Sequence, residues 1–194
     1  MNKKELKQVF LTLAGTILVL LILNFGYVWD NVKYYFEKPA ASVQTQVQEK
    51  MDPNKLLIPS LNLDLPIVYA EKVSETEFQQ DLQNGVVHYP NTANPGEVGN
   101  CYIFGHSSDY FWTKGNYKHA FSTLPHIKVG DEIIISNQGG DKFVYKVTET
   151  KVVAANDLSV LNQNTGGKKI LTLQTSYPVG TALKRFVAIA EPAP

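Results

Sequence analysis

Apolar and polar residues alternate in several short stretches of this chain, and such alternation is typical of half-buried β-strands. The clearest example covers residues 61–67, where Leu61, Leu63, Leu65 and Ile67 fall on one face. Segments rich in glycine, asparagine and proline separate these stretches and predict turns. Many short strands with few helices predict a mainly β domain, either a barrel or a sandwich. The other predicted strands cover residues 101–105, 132–136, 142–148, 151–154, 170–175 and 186–190.

Signals for helices in the body of the chain are few and short. Ser74 and Glu77 have the spacing of a capping box, which predicts a helix that begins just after Ser74. Asn156 and Asp157 are residue types that cap helices, and they predict a short turn that extends to Leu161.

The N-terminal region differs from the rest of the chain, because residues 9–28 contain no charged residue. A helix of about 20 apolar residues spans the hydrocarbon core of a bilayer. Lys3, Lys4 and Lys7 precede this run, and basic flanks stay on the cytoplasmic side. We therefore expect an uncleaved single-pass anchor of type II, with the remainder of the chain outside the cell. The alternative is a cleaved signal peptide, for which residues 38–42 offer small side chains.

The predicted organisation has four parts. They are a basic cytoplasmic tail (1–8), a transmembrane anchor (9–28), an extracellular stalk (29–53) and a folded domain (54–194). The chain contains 18 Lys and Arg against 18 Asp and Glu, and no basic cluster occurs in the body. This charge balance argues against nucleic acid as a partner.

Three side chains at predicted strand ends suggest a chemistry. The stretch 171–178 reads Leu-Thr-Leu-Gln-Thr-Ser-Tyr-Pro, so Ser176 lies at the end of a strand. His106 follows another strand, and Arg185 begins the last one. A nucleophile, an imidazole and a guanidinium are the groups that acyl transfer needs, as attacking group, proton carrier and cation beside the developing oxyanion.

The order of these residues resembles that of the sortases, the bacterial cysteine transpeptidases. The family pattern Thr-Leu-x-Thr-Cys corresponds to residues 172–176, with Ser176 at the position of the catalytic cysteine. Residues 85–90, 95–100 and 103–106 are similar to the sortase run that leads to the catalytic histidine, and residues 185–190 are similar to the last strand. The resemblance extends from about residue 56 to residue 191.

The resemblance implies a fold and a reaction. The implied fold is an eight-stranded sortase β-barrel, with Ser176 and Arg185 side by side across a hairpin. The implied reaction cleaves a Leu-Pro-x-Thr-Gly-like sorting signal after Thr through an acyl-enzyme and passes the acyl group to an amine. His106 is then the acid and base, Arg185 clamps the oxyanion or a substrate carbonyl, and Thr175 offers a hydroxyl contact to the substrate.

The same resemblance implies partners and a location. The partners are a surface protein that carries the sorting signal, an amine acceptor on a peptidoglycan precursor or a pilin lysine, and the membrane. The expected location is the bacterial cell membrane, with the catalytic domain on the outside, for cell-wall anchoring or pilus assembly.

Serine at position 176 changes the mechanism. A thiol has a pKa near 8.5 that neighbouring cations can lower, whereas a serine hydroxyl is far less acidic and depends on a neutral, correctly held histidine. Asp109, Asp131 and Asp157 are candidates for the group that holds His106. Three interpretations remain open: a replacement of cysteine that silences the enzyme, a module that binds sorting signals without turnover, and a true serine acyltransferase. A structural wall or pilus protein is a weaker fourth, since it would not need His106 and Arg185 to meet.

Cys101 is the single cysteine, so the domain cannot contain an internal disulfide. It precedes His106 by five residues on the same predicted strand, about 16 Å away, and odd spacing places the two on opposite faces. We therefore expect a structural role for Cys101 rather than catalysis.

No cofactor and no metal are expected. His88, His119 and His126 lack the ligand spacing that zinc prefers. Calcium would need loop carboxylates, for which the candidates are Glu97, Asp109 and Asp157.

Overall fold

The N-terminal region forms two helices, α1 (Lys3–Leu23) and α2 (Phe25–Phe36). Among the residues described, no helix is both long enough and apolar enough to cross a membrane. The transmembrane helix predicted at residues 9–28 therefore finds no support in the structure. Asn24 within it, and residues 37–49 of the predicted stalk, lie outside the described residues. The computed structural model describes residues 2–23, 25–36, 50–109 and 114–193.

Eight strands form a closed barrel, which confirms the mainly β fold and the strand number that the resemblance implied. The strands are β1 (Lys55–Ile58), β2 (Leu63–Tyr69), β3 (Val86–His88), β4 (Gly99–Phe104), β5 (Glu132–Ser136), β6 (Lys142–Ala154), β7 (Lys169–Tyr177) and β8 (Lys184–Pro192). Around the barrel they follow the order β1-β2-β3-β4-β7-β8-β6-β5, and β5 pairs with β1 to close it. Strand β7 is thus central to one wall, since it pairs in parallel with β4 and antiparallel with β8.

The interior of the barrel is filled by the alternate residues of its strands. Leu171 and Leu173 of β7 and Ile103 of β4 are fully buried there. Cys101 is 1% exposed and belongs to the same core, which confirms the structural role predicted for it. Burial raises the pKa of the Cys101 thiol, so it stays protonated and unreactive.

Some elements differ from their predicted bounds. The two strands predicted at 142–148 and 151–154 form one strand, β6, with a bulge between Val147 and Glu149. The polar residues 148–151 interrupt the alternation of apolar and polar positions, and the bulge lies at this interruption without ending the strand. Leu61 lies in a 3-10 turn (Pro59–Leu61) instead of beginning a strand. The short strands β1 and β3 do not stand out in the alternation pattern.

Two short helical elements rise from the barrel where the sequence predicts them. Helix α3 (Glu75–Asp81) begins after Ser74, whose hydroxyl oxygen accepts a hydrogen bond from Glu77 N at 3.5 Å. A 3-10 turn (Leu158–Leu161) follows Asp157, whose carboxylate accepts from Ser159 N at 2.9 Å. Both elements contribute residues to one cavity on the outside of the barrel.

Candidate active site

Ser176 and Arg185 are direct cross-strand partners on β7 and β8, as the resemblance implied. Nη1 of Arg185 donates hydrogen bonds to the carbonyl oxygens of Ala182 at 3.1 Å and Lys184 at 3.0 Å. These two bonds fix the guanidinium at the end of the hairpin. A guanidinium has five N–H donors, so further donors remain for a ligand.

His106 lies two residues after the end of β4, and Gly105 before it is held next to β7 by two hydrogen bonds. Gly105 N donates to Gln174 O at 3.1 Å, and the Thr175 hydroxyl donates to Gly105 O at 2.9 Å. The parallel register of β4 and β7 pairs Phe104 with Gln174. Continued by two residues, this register places His106 beside Ser176, at the spacing of about 4.8 Å between neighbouring strands.

His106, Ser176 and Arg185 line one groove with a volume of about 440 Å³. Helix α3, strands β4 and β7, and the 3-10 turn of residues Leu158–Leu161 all contribute residues to its lining. The structure thus brings together the three predicted catalytic residues. Other lining residues are Glu75, Phe78, Gln79, Leu82, Tyr89, Tyr102, Phe104, Gly105, Ala155, Asp157, Leu158, Val160, Leu161, Gln174, Thr175 and Ala182.

The His106 imidazole lies in an environment that favours its neutral form. Burial is the main cause that lowers its pKa, and the nearby His119 lowers the pKa further. Asp109 acts in the opposite direction, since its Oδ2 lies 3.9 Å from Nε2 of His106. A neutral imidazole can accept a proton, which is what a general base requires.

Of the three aspartates proposed to hold His106, the structure places Asp109 against the ring. Asp131 instead accepts hydrogen bonds from the Ser60 hydroxyl at 2.8 Å and from Lys128 N at 3.0 Å. Asp157 lines the groove but caps the 3-10 turn that follows it. Asp109 is therefore the carboxylate that can orient the imidazole.

Thr175, predicted to contact the substrate, is among the residues that line the groove. Its side chain is 1% exposed, and its hydroxyl donates to the carbonyl oxygen of Gly105. This bond joins β7 to the residue that precedes His106. The observed contact therefore supports a positioning role for Thr175.

Metal ligation finds no support in the part of the chain that the structure describes, since no group of three or more His, Cys, Asp or Glu side chains could hold an ion there. Nε2 of His88 lies 2.9 Å from Ala93 O, and its ring stacks on Tyr69 with 4.7 Å between the centroids. The Glu97 carboxylate accepts hydrogen bonds from the backbone and side-chain nitrogens of Asn94.

Sequence reasoning missed an aromatic cluster in the groove. Phe78 of α3 packs edge-on against Phe104 with 5.1 Å between the centroids, and it also contacts Tyr89 at 5.5 Å. Tyr89 in turn packs edge-on against Tyr102 at 5.9 Å. The alternation of β4 could have revealed Tyr102 and Phe104, because they face opposite to the core residue Ile103.

Comparisons with known proteins agree with this geometry. Residues 56–193 match the sortase domain family. A curated relative, sortase D of Bacillus subtilis (strain 168), is 32% identical over 135 residues, which cover 68% of this chain and 59% of the relative. The chain thus aligns with somewhat less than two thirds of that relative's length.

Solved structures give the same result. A sortase D5 transpeptidase of Clostridium perfringens is 28% identical, with a TM-score of 0.58 over 72% of this chain and 78% of the other. Sortase A of Corynebacterium diphtheriae is 26% identical, with a TM-score of 0.59 over 72% and 60% of the two chains. A lid mutant of Streptococcus agalactiae sortase C1 is 26% identical, with a TM-score of 0.60 over 90% and 86%.

The match to the family extends from β1 to the end of β8 and includes every strand of the barrel and the whole groove. The alignment with the curated relative, at 32% identity, covers 68% of the chain. The chain therefore belongs to the sortase family and has the fold of a sortase-type transpeptidase.

Proposed function

We propose that this chain binds a Leu-Pro-x-Thr-Gly-like sorting signal in the groove, that the reaction built into this site cleaves the signal between Thr and Gly and transfers the acyl group to an amine, and that Ser176 silences or weakens this reaction. The observation that most directly supports this proposal is the pairing of Ser176 with Arg185 on adjacent strands, in the groove that His106 also lines. The acceptor in this proposal is an amine on a peptidoglycan precursor or a pilin lysine. Membership of the sortase family supports the general reaction.

The mechanism follows from the three side chains. Neutral His106 accepts the proton of residue 176 while that side chain attacks the Thr carbonyl, and it then donates the proton to the departing amine of Gly. Arg185, whose Nη1 is anchored on two hairpin carbonyls, directs its remaining N–H groups at the oxyanion. The incoming amine reverses these steps: it loses its proton to His106 and releases residue 176.

Serine at position 176 makes the proposed reaction slow or absent in this chain. A serine nucleophile needs a hydrogen bond to its base. Between the residues that the structure describes, the Ser176 hydroxyl makes no hydrogen bond to the His106 ring, although both line the groove. This observation favours a second candidate function, a module that binds sorting signals without turnover.

One experiment separates these functions. The chain, its Ser176→Cys variant and its Ser176→Ala variant are incubated with a Leu-Pro-x-Thr-Gly peptide and an amine, and intact mass reports the acyl-enzyme. We expect acylation and amine transfer by the Cys variant alone. Acylation of the unaltered chain would instead support a serine acyltransferase. Binding of the peptide without acylation of any variant would support the module. The absence of both binding and acylation in all three proteins would contradict the proposal.

We also propose that the catalytic domain lies outside the cell, anchored at the membrane by its N-terminal region. The support is the uncharged run 9–28 after three lysines. Protease treatment of intact cells tests this location. The proposal requires the barrel to be cleaved while cytoplasmic markers remain intact, and recovery of the full chain from the cytoplasm would contradict it.

A further inference from the structure

Gln174 lies on the same face of β7 as Ser176, two residues before it. Both side chains line the groove. The intervening Thr175 also belongs to the groove lining, but it is 1% exposed and its hydroxyl is bonded to Gly105 O. Two residues of a β-strand span roughly 6.6 Å. Gln174 therefore lies one strand repeat away from the proposed nucleophile, inside the surface that a substrate must cover.

The oxygen end of the Gln174 amide is already occupied. The hydroxyl of Tyr102, on the neighbouring strand β4, donates a hydrogen bond to Oε1 of Gln174. Tyr102 is itself fixed, because it is 3% exposed and packs edge-on against Tyr89. Burial raises the pKa of the Tyr102 hydroxyl, so it remains a donor at any physiological pH.

This contact decides which way the amide points. In the structure the Tyr102 hydroxyl faces the amide oxygen, so the Nε2 group of Gln174 is left for the remaining space of the groove. Within the described residues, no hydrogen bond from Nε2 of Gln174 to a protein acceptor is present. The groove thus presents two oriented N–H donors beside the nucleophile, and a half-buried donor binds best when an acceptor reaches it.

We propose that Nε2 of Gln174 donates a hydrogen bond to a main-chain carbonyl of the bound sorting signal, two residues before the carbonyl that residue 176 attacks. In an extended peptide, carbonyls two residues apart point the same way and are separated by roughly the distance from Gln174 to Ser176. Tyr102 acts as a positioning residue that keeps the amide in this orientation. The contact selects for an extended peptide rather than for a particular side chain.

This inference rests on the proposed function, because it assigns a contact within the same groove. Its test measures the affinity of a fluorescent Leu-Pro-x-Thr-Gly peptide for the full chain by anisotropy. Gln174→Glu keeps an oxygen for Tyr102 but replaces the donor with an acceptor. Tyr102→Phe removes the hydroxyl that orients the amide. Gln138→Glu makes the same change in charge on the exposed turn between β5 and β6, outside the groove, and is the matched control.

We expect Gln174→Glu to weaken binding about tenfold and Tyr102→Phe about threefold, with Gln138→Glu unchanged. A second peptide carries a thioamide, a weaker acceptor, at the carbonyl assigned to Gln174. The thioamide peptide should bind the unaltered chain less tightly than the ordinary peptide does. Its affinity for the Gln174→Glu variant should be only slightly lower than its affinity for the unaltered chain. The thioamide comparison in the unaltered chain does not depend on whether the variants fold.

The outcomes separate the two proposals. Suppose that the unaltered chain binds the peptide tightly, that Gln174→Glu binds it equally well, and that the thioamide peptide binds the unaltered chain equally well. This result would overturn the role of Gln174 and leave the proposed function standing. Absence of binding to the unaltered chain and to its Ser176→Cys variant overturns the proposed function and this contact with it.

Discussion

The hydroxyl of Thr175 donates a 2.9 Å hydrogen bond to the carbonyl oxygen of Gly105. It connects the residue before Ser176 on β7 with the residue before His106 at the end of β4. The two proposed catalytic side chains thus each follow a residue that takes part in this bond. The geometry of the pair depends on the barrel wall rather than on a mobile loop.

Replacement of Thr175 by valine should disturb this connection while preserving the shape of the side chain. The Gly105 carbonyl would lose its buried donor, which costs about 1–2 kcal/mol. We expect urea denaturation to show a loss of that size, and peptide acylation by the Ser176→Cys form to fall with it. Thr148→Val is the matched control, since its exposed hydroxyl also bonds a backbone carbonyl, that of Ile189 at 3.2 Å. An equal loss in both variants would contradict a special role for Thr175.

Gly105 should not tolerate a side chain. A Cβ at this position would lie 2.8 Å from Cδ2 of Phe121 and 2.9 Å from Cγ1 of Val86, and both residues are fully buried. Overpacking of a rigid core costs about 1–3 kcal/mol, so Gly105→Ala should lower the free energy of unfolding by that amount. Gly139→Ala has its nearest neighbour at 3.3 Å and should be close to neutral. Equal stability of the two variants, measured by thermal unfolding, would refute this prediction.

The resemblance to the sortases was sufficient to predict the closed barrel and the three residues at its groove, whereas the alternation pattern alone left a barrel and a sandwich open. Alternation reveals strands such as β5 and β7, since one face of each is buried. The pairing of Ser176 with Arg185 was predictable as well, because only a short turn separates the two strands. Strands of three or four residues, such as β3, are too short for a periodic signal and depend on tertiary pairing.

Contacts between distant segments were not predictable. Asp109 lies close to His106 in sequence, yet nothing in the chain distinguished it from Asp131 and Asp157 as the partner of the imidazole. The Tyr102–Gln174 contact joins residues that are 72 positions apart, and only the parallel register of β4 and β7 brings them together. The chemistry of such a site is defined by packing, which a single sequence does not encode locally.

The titration of His106 should respond to Asp109. The carboxylate, 3.9 Å from Nε2, raises the pKa of His106 against the larger lowering caused by burial. Asp109→Asn removes this charge, so the pKa of His106 should decrease further. Ring resonances followed by NMR from pH 8 to pH 4 measure the change, with Asp131→Asn as a control remote from the ring. An unchanged or increased pKa in Asp109→Asn would contradict the assigned pair.

Acid should destabilise the fold through histidines that are buried or partly buried. Burial lowers the pKa of His88, His106 and His126 below the ordinary value of 6.5, so the unfolded chain binds protons that the folded chain does not. The contribution of these histidines to the free energy of unfolding is therefore fully present above about pH 6.5. It is lost as the pH falls from this value through the pKa values of the folded state.

The variant His106→Gln isolates one contribution to this acid sensitivity. Between pH 7 and pH 5, the free energy of unfolding of the unaltered chain should fall, and the slope should be smaller in His106→Gln by at most about 1.4 kcal/mol per pH unit, the value for one proton. Denaturant unfolding at several pH values provides the measurement. Identical slopes for the two proteins would show that His106 is not neutralised by burial.

Gln163 should hold in place the segment that contains the 3-10 turn Leu158–Leu161, which contributes to the groove lining. Its Oε1 accepts hydrogen bonds from the backbone nitrogens of Ala93 at 3.2 Å and Asn100 at 3.1 Å. Its Nε2 donates to the carbonyl oxygens of Asn100 and Leu161, each at 3.0 Å. One side chain thus ties the segment between β6 and β7 to the start of β4.

Replacement of Gln163 by alanine removes all four bonds, so residues 155–168 should exchange amide hydrogen faster and the peptide should bind several-fold more weakly. The proposed catalytic residues themselves stay on β7, on β8 and just after β4, so the acylation rate at saturating peptide in the Ser176→Cys form should change little. Asn164→Ala, an exposed neighbour in the same segment, is the control. If Gln163→Ala lowered the saturated rate and left affinity unchanged, the segment would act on the chemistry instead of forming the wall that holds the substrate.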